Sequence, residues 1–242
     1  MRDADMGTDQ QARWTKYYRK LYSAAPKAWL DLSNEAVQAQ GFAVAIEAAG
    51  AIGERRCLDI GCGHGQLSTC LLGLRASEVV GVDFIPETVV SCREKHPHIR
   101  WECGSPSDEG FVKSLGDFDI IFLVEILQYV DWESTLRTLW GSVRPGGRIV
   151  AVVPNKDNSI VQKTMSRFGG TYLPPNPSEL DTLVGSLPEV ECWAHRGMDF
   201  QQDQRLVPYF AYPWVTTGVM QDPANRLIFA IKKRYESEVP SG

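Results

Sequence analysis

The chain has 242 residues, of which 43% are hydrophobic and 23% charged, and its formal net charge is −5. This composition is typical of a folded domain with its own core and excludes a fibrous chain. The net negative charge, without basic runs interleaved with aromatics, argues against nucleic acid as a partner. Charged residues interrupt the first thirty positions and no long apolar stretch follows, so we expect no membrane partner and a cytoplasmic location.

Short β-branched runs alternate with helix-length stretches, which is typical of parallel βαβ units. Two helices are predicted within residues 9–50. The predicted strands cover residues 56–60, 78–82, 99–103, 118–124, 148–153, 190–195 and 226–232. The predicted helices among them cover residues 66–74, 86–95, 111–115, 132–143 and 178–187. This order predicts an α/β fold with a doubly wound, mostly parallel, seven-stranded sheet.

The predicted organisation has a core domain with additions at both ends. Residues 1–50 are expected to form an N-terminal helical lid, and residues 51–235 the main domain. The span 196–225 is long for a plain connection and rich in aromatic residues, so we expect a cap insertion there. Residues 236–242 are expected to be a disordered tail. The six cysteines have no CxxC pair, so we predict no metal site.

A glycine-rich turn joins the first of these strands to a helix, in the segment CLDIGCGHG. Gly61, Gly63 and Gly65 stand at alternate positions, where the backbone needs left-handed conformations or must approach a ligand closely. The helix that follows presents free backbone N–H groups and the positive end of its dipole. The segment therefore predicts a ligand-binding junction.

The spacing of these glycines differs from that of a dinucleotide-binding turn, G-x-G-x-x-G, because Gly65 comes one place early. With Asp59 two residues ahead of Gly61, the segment resembles the first motif of class I S-adenosylmethionine-dependent methyltransferases. The resemblance implies a Rossmann-like methyltransferase fold, S-adenosylmethionine as cofactor and S-adenosylhomocysteine as product. The ammonium group of that cofactor suits a carboxylate neighbour such as Asp59.

A second acid, Asp83, ends the next strand in VVGVDFIPE, about twenty residues after the glycines. An acidic side chain there can accept hydrogen bonds from both ribose hydroxyls. Phe84 or Ile85 is then expected to pack on the adenine face.

Three further segments match the family in order: WECGSP, FDIIFLVEILQYV and VRPGGRIV. The resemblance implies that Glu125 lies under the methionine part of the cofactor. It also implies that the glycines of RPGG form the turn in which a helix ends and the next strand begins. At the adenine edge the family usually has a Gly-Asp-small sequence, where this chain has Ser105 and Pro106. Because proline has no N–H, adenine is expected to find a donor near Ser107 or to be held differently.

The candidates for acid–base chemistry are Tyr129 and His195. Related small-molecule O-methyltransferases often read E-x-x-E-H after the fourth strand, and Tyr129 takes the place of that histidine. His195 is predicted at the carboxyl end of a late strand, where a histidine side chain could act as a general base, although a partly buried strand histidine is the alternative. Tyr18 resembles a lid-helix aromatic residue that reaches the cofactor's carboxylate, and core packing is its alternative.

We therefore predict an enzyme that transfers a methyl group to a hydroxyl, carboxyl or amine of a small-molecule metabolite, such as a biosynthetic intermediate. A non-catalytic cofactor-binding regulatory or scaffold protein of the same fold is one alternative. A nicotinamide-dependent oxidoreductase is a second alternative, which the glycine spacing disfavours.

Overall fold

A computed structural model describes residues 12–17, 19, 32–199, 214–215 and 223–235 of the chain. Its centre is an eight-stranded sheet in the order β3-β2-β1-β4-β5-β8-β6-β7. The parallel strands are β1 (Arg56–Ile60), β2 (Glu78–Asp83), β3 (Arg100–Cys103), β4 (Phe118–Val124) and β5 (Val143–Pro154). The antiparallel pairs involve β6 (Val190–Asp199), β7 (Trp214–Val215) and β8 (Arg226–Lys233). The predicted seven-stranded, mostly parallel sheet is confirmed, and the two-residue β7 is added at its edge.

Helices connect the strands and cover both faces of the sheet. They are α1 (Leu32–Ala49), α2 (Gln66–Gly73), α3 (Pro86–Lys95), α4 (Glu109–Leu115), α5 (Trp132–Gly141), α6 (Ser159–Phe168) and α7 (Pro177–Ser186). Residues 12–17 and 19 are also helical. Side-chain caps fix several helix starts: Asp108 accepts from the Phe111 N–H, and Asn176 forms a capping box with Glu179.

The two faces of the sheet bury two different hydrophobic clusters, because successive residues of a strand point to opposite sides. One cluster includes Leu58, Ile121 and Leu123 and packs against side chains of α4, α5 and α7. The other includes Cys57 and Phe122 and packs against side chains of α1, α2 and α3. The sheet is therefore doubly wound, as predicted.

The start of β5 differs from the prediction. We expected a helix to end at Val143, the RPGG segment to form a turn, and a strand to begin at Arg148. In the structure α5 ends at Gly141 and β5 already begins at Val143. The pairing with β4 shifts register between Phe118 and Ile120, so RPGG lies in an irregular stretch of the strand. Gly146 has a left-handed backbone there, at φ 76°. The glycines thus allow a bulge within β5, and they do not mark the transition from a helix to a strand.

Two later elements also differ from the prediction. Helix α6 was not expected from the sequence, and Val161 is the one buried residue among its ten. Strand β6 continues four residues beyond His195, so the first part of the expected cap, residues 196–199, belongs to the sheet. Most of the remaining cap, and the tail at 236–242, lie outside the described residues.

The N-terminal helical residues contact the rest of the fold through Trp14 and Arg19. The indole of Trp14 is 5% exposed, and its Nε1 donates to the Thr171 carbonyl at 2.7 Å. Arg19 pairs with Glu87 of α3 at 3.1 Å. The N-terminal helix therefore lies over the carboxyl ends of the parallel strands. Within the described ranges, no helix has the length and apolar character needed to cross a membrane.

Candidate functional site

The glycine turn after β1 is fixed against the end of β2. Gly61, Gly63 and Gly65 all have left-handed backbones, with φ values of 72°, 50° and 82°. The N–H groups of Gly61 and Cys62 both donate to the Val82 carbonyl, at 2.8 and 3.0 Å. The turn thus crosses the carboxyl end of β2, where the structure brings the three predicted glycines next to Asp83.

Asp83 lies at the tip of β2 with its carboxylate directed at this turn. Its Oδ2 accepts from the Gly63 N–H at 3.0 Å, and its Oδ1 accepts from the Ile85 N–H at 2.9 Å. The side chain is buried, and burial raises the pKa of Asp83 although these backbone hydrogen bonds lower it. One acid therefore ties the glycine turn to the start of the next helix.

Asp59 is a second buried acid one strand away. The Ser68 hydroxyl donates to its Oδ2 at 2.6 Å, and its side chain is 2% exposed. Burial, opposed by hydrogen bonds from Ser68 and assisted by the negative charge of Asp83, raises the pKa of Asp59 to about 6. Two buried carboxylates this close together favour a positively charged or hydrogen-donating ligand.

Glu125 follows β4 and forms an ion pair that the sequence did not predict. Its backbone is left-handed, at φ 56°, and its Oε1 accepts from Nε of Arg226 at 2.5 Å. The Arg226 side chain is only 14% exposed, and the charge of Glu125 raises the pKa of the guanidinium although burial lowers it. Sequence reasoning missed Arg226 because a single arginine at the start of a strand carries no recognisable signal.

Gln128 completes the loop after β4. Its Nε2 donates to the Glu125 carbonyl at 3.0 Å, which fixes the orientation of the amide. The opposite atom, Oε1, is buried and has no hydrogen-bond partner among the residues that the structure describes. A buried acceptor without a donor costs roughly 1–3 kcal/mol. The loop thus holds an acceptor that a ligand donor would satisfy.

An aromatic cluster covers this edge of the sheet. It contains Trp14, Phe84, Tyr129, Phe168 and Tyr172. The rings of Trp14 and Tyr129 meet edge to face at 4.5 Å, and Tyr129 and Tyr172 lie 5.7 Å apart. Burial raises the pKa of Tyr172, and Tyr129 and Glu125 raise it further. The structure thus places Tyr129 and Phe84 in one apolar wall beside Glu125.

Two predicted site residues, Ser105 and His195, do not join this group. Ser105 lies in the turn after β3, where its hydroxyl accepts from the Ser107 N–H at 3.3 Å. The expectation that His195 ends its strand is wrong: it pairs with Phe229 inside β6 and is exposed, and its ring stacks on Trp193 at 4.9 Å. Since β5 and β8 separate β6 from β4, His195 is remote from Glu125. Tyr18 lies outside the described residues.

Comparison with known families agrees with this geometry. Residues 58–151, from β1 to β5, match a family model described as a methyltransferase domain. The part of the chain from β1 to β5 is therefore similar to the methyltransferase domains of the class I S-adenosylmethionine-dependent family. This confirms the resemblance drawn from the glycine turn and the two acids.

Solved structures show the same fold across most of this methyltransferase domain. An S-adenosylmethionine-dependent methyltransferase from Thermotoga maritima is 16% identical, with a TM-score of 0.68, and the match covers 91% of this chain and 100% of that one. Magnesium protoporphyrin IX methyltransferase from Synechocystis PCC 6803, solved with bound S-adenosylhomocysteine, is 14% identical, with a TM-score of 0.63 and coverages of 95% and 99%.

The similar curated proteins are O-methyltransferases. The ubiquinone biosynthesis O-methyltransferase of Bordetella avium is 28% identical over 146 residues, or 56% of this chain and 60% of that protein. The protein of the same name in Pseudomonas putida is 27% identical over 116 residues. The chain spans about half the length of the relatives it matches, 50% in the latter case.

Proposed function

We propose that this protein transfers a methyl group from S-adenosylmethionine to a hydroxyl oxygen of a small molecule. The observation that carries the proposal is the contact between Asp83 and the glycine turn, 3.0 Å from its Oδ2 to the Gly63 nitrogen. An acid at the tip of β2 beside a left-handed glycine turn suits a nucleoside with two free ribose hydroxyls. The O-methyltransferases among the relatives favour oxygen as the acceptor atom.

The residues present fit this cofactor. Asp83 would accept from the ribose hydroxyls, while the glycines leave room for the ligand to approach the backbone. Asp59 and Glu125 would flank the ammonium group, because Asp59 lies near the end of β1 and Glu125 follows the adjacent strand β4. The buried Oε1 of Gln128, for which the described part of the chain supplies no donor, lies in the same loop as Glu125 and would gain one from the ligand.

The wall of aromatic rings suits the acceptor. When bound, the cofactor supplies a methyl group already activated by its positively charged sulfur. The protein then has to hold the acceptor oxygen in line with the methyl group. Such positioning gives effective molarities of about 10⁵ to 10⁸ M in well-oriented reactions, so it can supply a large part of the rate acceleration. Tyr129 and Tyr172 would orient the hydroxyl by hydrogen bonding. Tyr172 stays neutral near pH 7, because burial raises its pKa.

We also propose that the chain divides into a lid and a catalytic domain. Residues 1–50 would act as a lid, since Trp14 already contacts Tyr129 and Phe168. Tyr18, within that segment of the sequence, would reach the cofactor's carboxylate, and Ser105 would lie near the adenine edge. Residues 51–235 would form the catalytic domain. The protein would act in the cytoplasm.

Isothermal titration calorimetry with S-adenosylhomocysteine tests the cofactor, with NADH as the comparison. We expect heat of binding with the first compound and none with the second; the reverse result would revive the oxidoreductase alternative. Incubation with methyl-labelled S-adenosylmethionine and a panel of phenols, carboxylic acids and amines tests the reaction. Binding without transfer to any acceptor would favour the non-catalytic scaffold, an alternative that the similar O-methyltransferases do not support.

A further inference from the structure

Two buried cysteines meet behind the glycine turn. Cys62 stands between two of the glycines, and Cys92 lies in α3. Their sulfur atoms approach the same carbonyl oxygen, that of Gly63, at 3.9 and 3.2 Å. The Cys62 thiol also donates a hydrogen bond to the Cys92 sulfur. The two sulfurs are therefore in contact, and both are free thiols.

The two thiols differ in acidity. The hydrogen bond to Cys92 raises the pKa of Cys62, and burial and the charges of Asp59 and Asp83 raise it further. The same hydrogen bond lowers the pKa of Cys92, and the charge of Lys95 also lowers it, although burial and the two acids raise it. The thiolate is the reactive form of cysteine. Cys92 is therefore the nucleophile of the pair.

Both polar backbone groups of Gly63 are held by this arrangement. Its N–H donates to Oδ2 of Asp83 at 3.0 Å, and its carbonyl accepts from the Cys92 thiol at 3.2 Å. A bond between the sulfurs would remove the Cys92 donor. It would also draw Cys62 toward α3, because bonded sulfurs lie much closer together than sulfurs that share a hydrogen bond. The turn would then shift relative to Asp83, the acid proposed to bind the ribose.

We propose that Cys62 and Cys92 form a reversible disulfide, and that this modification closes the cofactor site. The proposal rests on the proposed function, because the ligand that it excludes is S-adenosylmethionine. The oxidant is a peroxide, which is small enough to enter the turn beside the half-buried Gly63 and the exposed His64. Disulfides of this transient kind occur in reducing compartments as redox sensors.

The chemistry balances in two steps. The Cys92 thiolate attacks one oxygen of hydrogen peroxide, the O–O bond breaks, and Cys92 becomes a sulfenic acid while hydroxide leaves and takes up the thiol proton. The Cys62 sulfur then attacks the Cys92 sulfur, the S–S bond forms, and the sulfenic oxygen leaves as water with the Cys62 proton. Two thiols thus lose two electrons and two protons, and one peroxide becomes two waters. A dithiol reverses the change and is itself oxidised to a disulfide.

Peroxide treatment of the purified chain tests both parts of the proposal. A tryptic digest without reduction should contain a cross-linked species that joins residues 57–75 to residues 76–93. Calorimetry should show the S-adenosylhomocysteine dissociation constant rising at least about tenfold after oxidation and returning after treatment with dithiothreitol. By linkage, saturating S-adenosylhomocysteine should make the reduction potential of the pair more positive by at least about 30 mV in dithiothreitol redox buffers, which is the same tenfold factor.

Two substitutions separate this pair from other oxidation sites. Cys92→Ser keeps a hydroxyl donor for the Gly63 carbonyl but cannot form the disulfide. It should therefore lose both the cross-link and the effect of peroxide, with its own untreated affinity as the reference. Cys70→Ser is the control, because Cys70 is exposed and lies in the same tryptic peptide as Cys62. This variant should respond to peroxide as the native protein does.

Four outcomes would overturn the proposal. The first is that the native protein forms no cross-link between Cys62 and Cys92. The second is a cross-link that leaves S-adenosylhomocysteine affinity unchanged, since the disulfide would then regulate nothing. The third is an equal loss of affinity in peroxide-treated Cys92→Ser, which would assign the effect to another residue. The fourth is a reduced native protein that binds no S-adenosylhomocysteine, in which case the proposed function fails and its regulation fails with it.

Discussion

Replacing Asp59 with asparagine tests whether the site holds a buried charge at the expense of stability. Burial raises the pKa of Asp59 from 3.8 to about 6, and one pKa unit corresponds to about 1.4 kcal/mol. The ionised carboxylate therefore lowers the free energy of unfolding by up to about 3 kcal/mol above pH 6. Asparagine removes the charge, while its amide oxygen can still accept the hydrogen bond from Ser68.

The sign of the effect follows from proton binding. Between about pH 4 and pH 6 the folded protein keeps a proton on Asp59 that the unfolded chain has released, so this group makes stability fall as the pH rises. We expect Asp59→Asn to be more stable than the native protein by close to 3 kcal/mol at pH 8, and by about half that at pH 5. Urea unfolding at the two pH values measures both differences. A stability difference that does not change with pH would refute the reasoning.

The same variant should bind S-adenosylhomocysteine less well. A hydrogen bond to a charged group contributes roughly 1.5–3 kcal/mol, so we expect the dissociation constant to rise about tenfold to a hundredfold. Calorimetry at pH 8 measures this, because Asp59 is then ionised in the native protein. An unchanged dissociation constant would remove Asp59 from the cofactor site, whatever its effect on stability.

Three other substitutions test the rest of the site. Asp83→Asn should raise the S-adenosylhomocysteine dissociation constant by roughly tenfold to a hundredfold in calorimetry, while Asp131→Asn, a helix-cap control, should not. Gly65→Ala should lower the free energy of unfolding by about 2 kcal/mol, because φ is 82° and an added Cβ would lie 2.6 Å from a tryptophan ring. Gly73→Ala, with nothing within 4 Å of an added Cβ, should not lower the free energy of unfolding, and urea unfolding of both variants measures the difference. Tyr129→Phe should lower the rate of methyl transfer without changing S-adenosylhomocysteine affinity; a change in affinity alone would contradict its proposed contact with the acceptor.

The part of the site that depends on neighbouring parallel strands could be predicted from the sequence. Asp59 lies near the end of β1 and Asp83 ends β2, and these strands pair in parallel, with Ile60 opposite Val82. The carboxyl ends of adjacent parallel strands meet at one edge, so two acids at such ends lie close together. Glu125, just after β4, was assigned to this edge by the resemblance to the methyltransferase family, and its position beside β1 agrees with the same rule.

The part that depends on the last strands could not be predicted. Arg226 meets Glu125 only because β8 inserts antiparallel beside β5, with Arg226 opposite Pro154. No local pattern in the chain specifies that pairing. Tyr172 likewise joins Tyr129 through a segment of irregular backbone after α6, which has no periodicity to read. His195 was misplaced because the end of a strand is the least certain part of a pattern, and β6 continues to Asp199.

The features that cost stability are concentrated at the carboxyl ends of the parallel strands, which argues that they serve binding. A left-handed backbone alone is not informative, since Glu54, Arg75 and Glu189 also have positive φ and are exposed turn residues. Glu125 differs because its strained backbone is half-buried and is accompanied by the orphan oxygen of Gln128. Folding alone would favour removing such features, each of which costs about 1–3 kcal/mol. A bound ligand that supplies the missing donor and countercharge would offset these costs, so the site should gain stability from its ligand more than from its own packing.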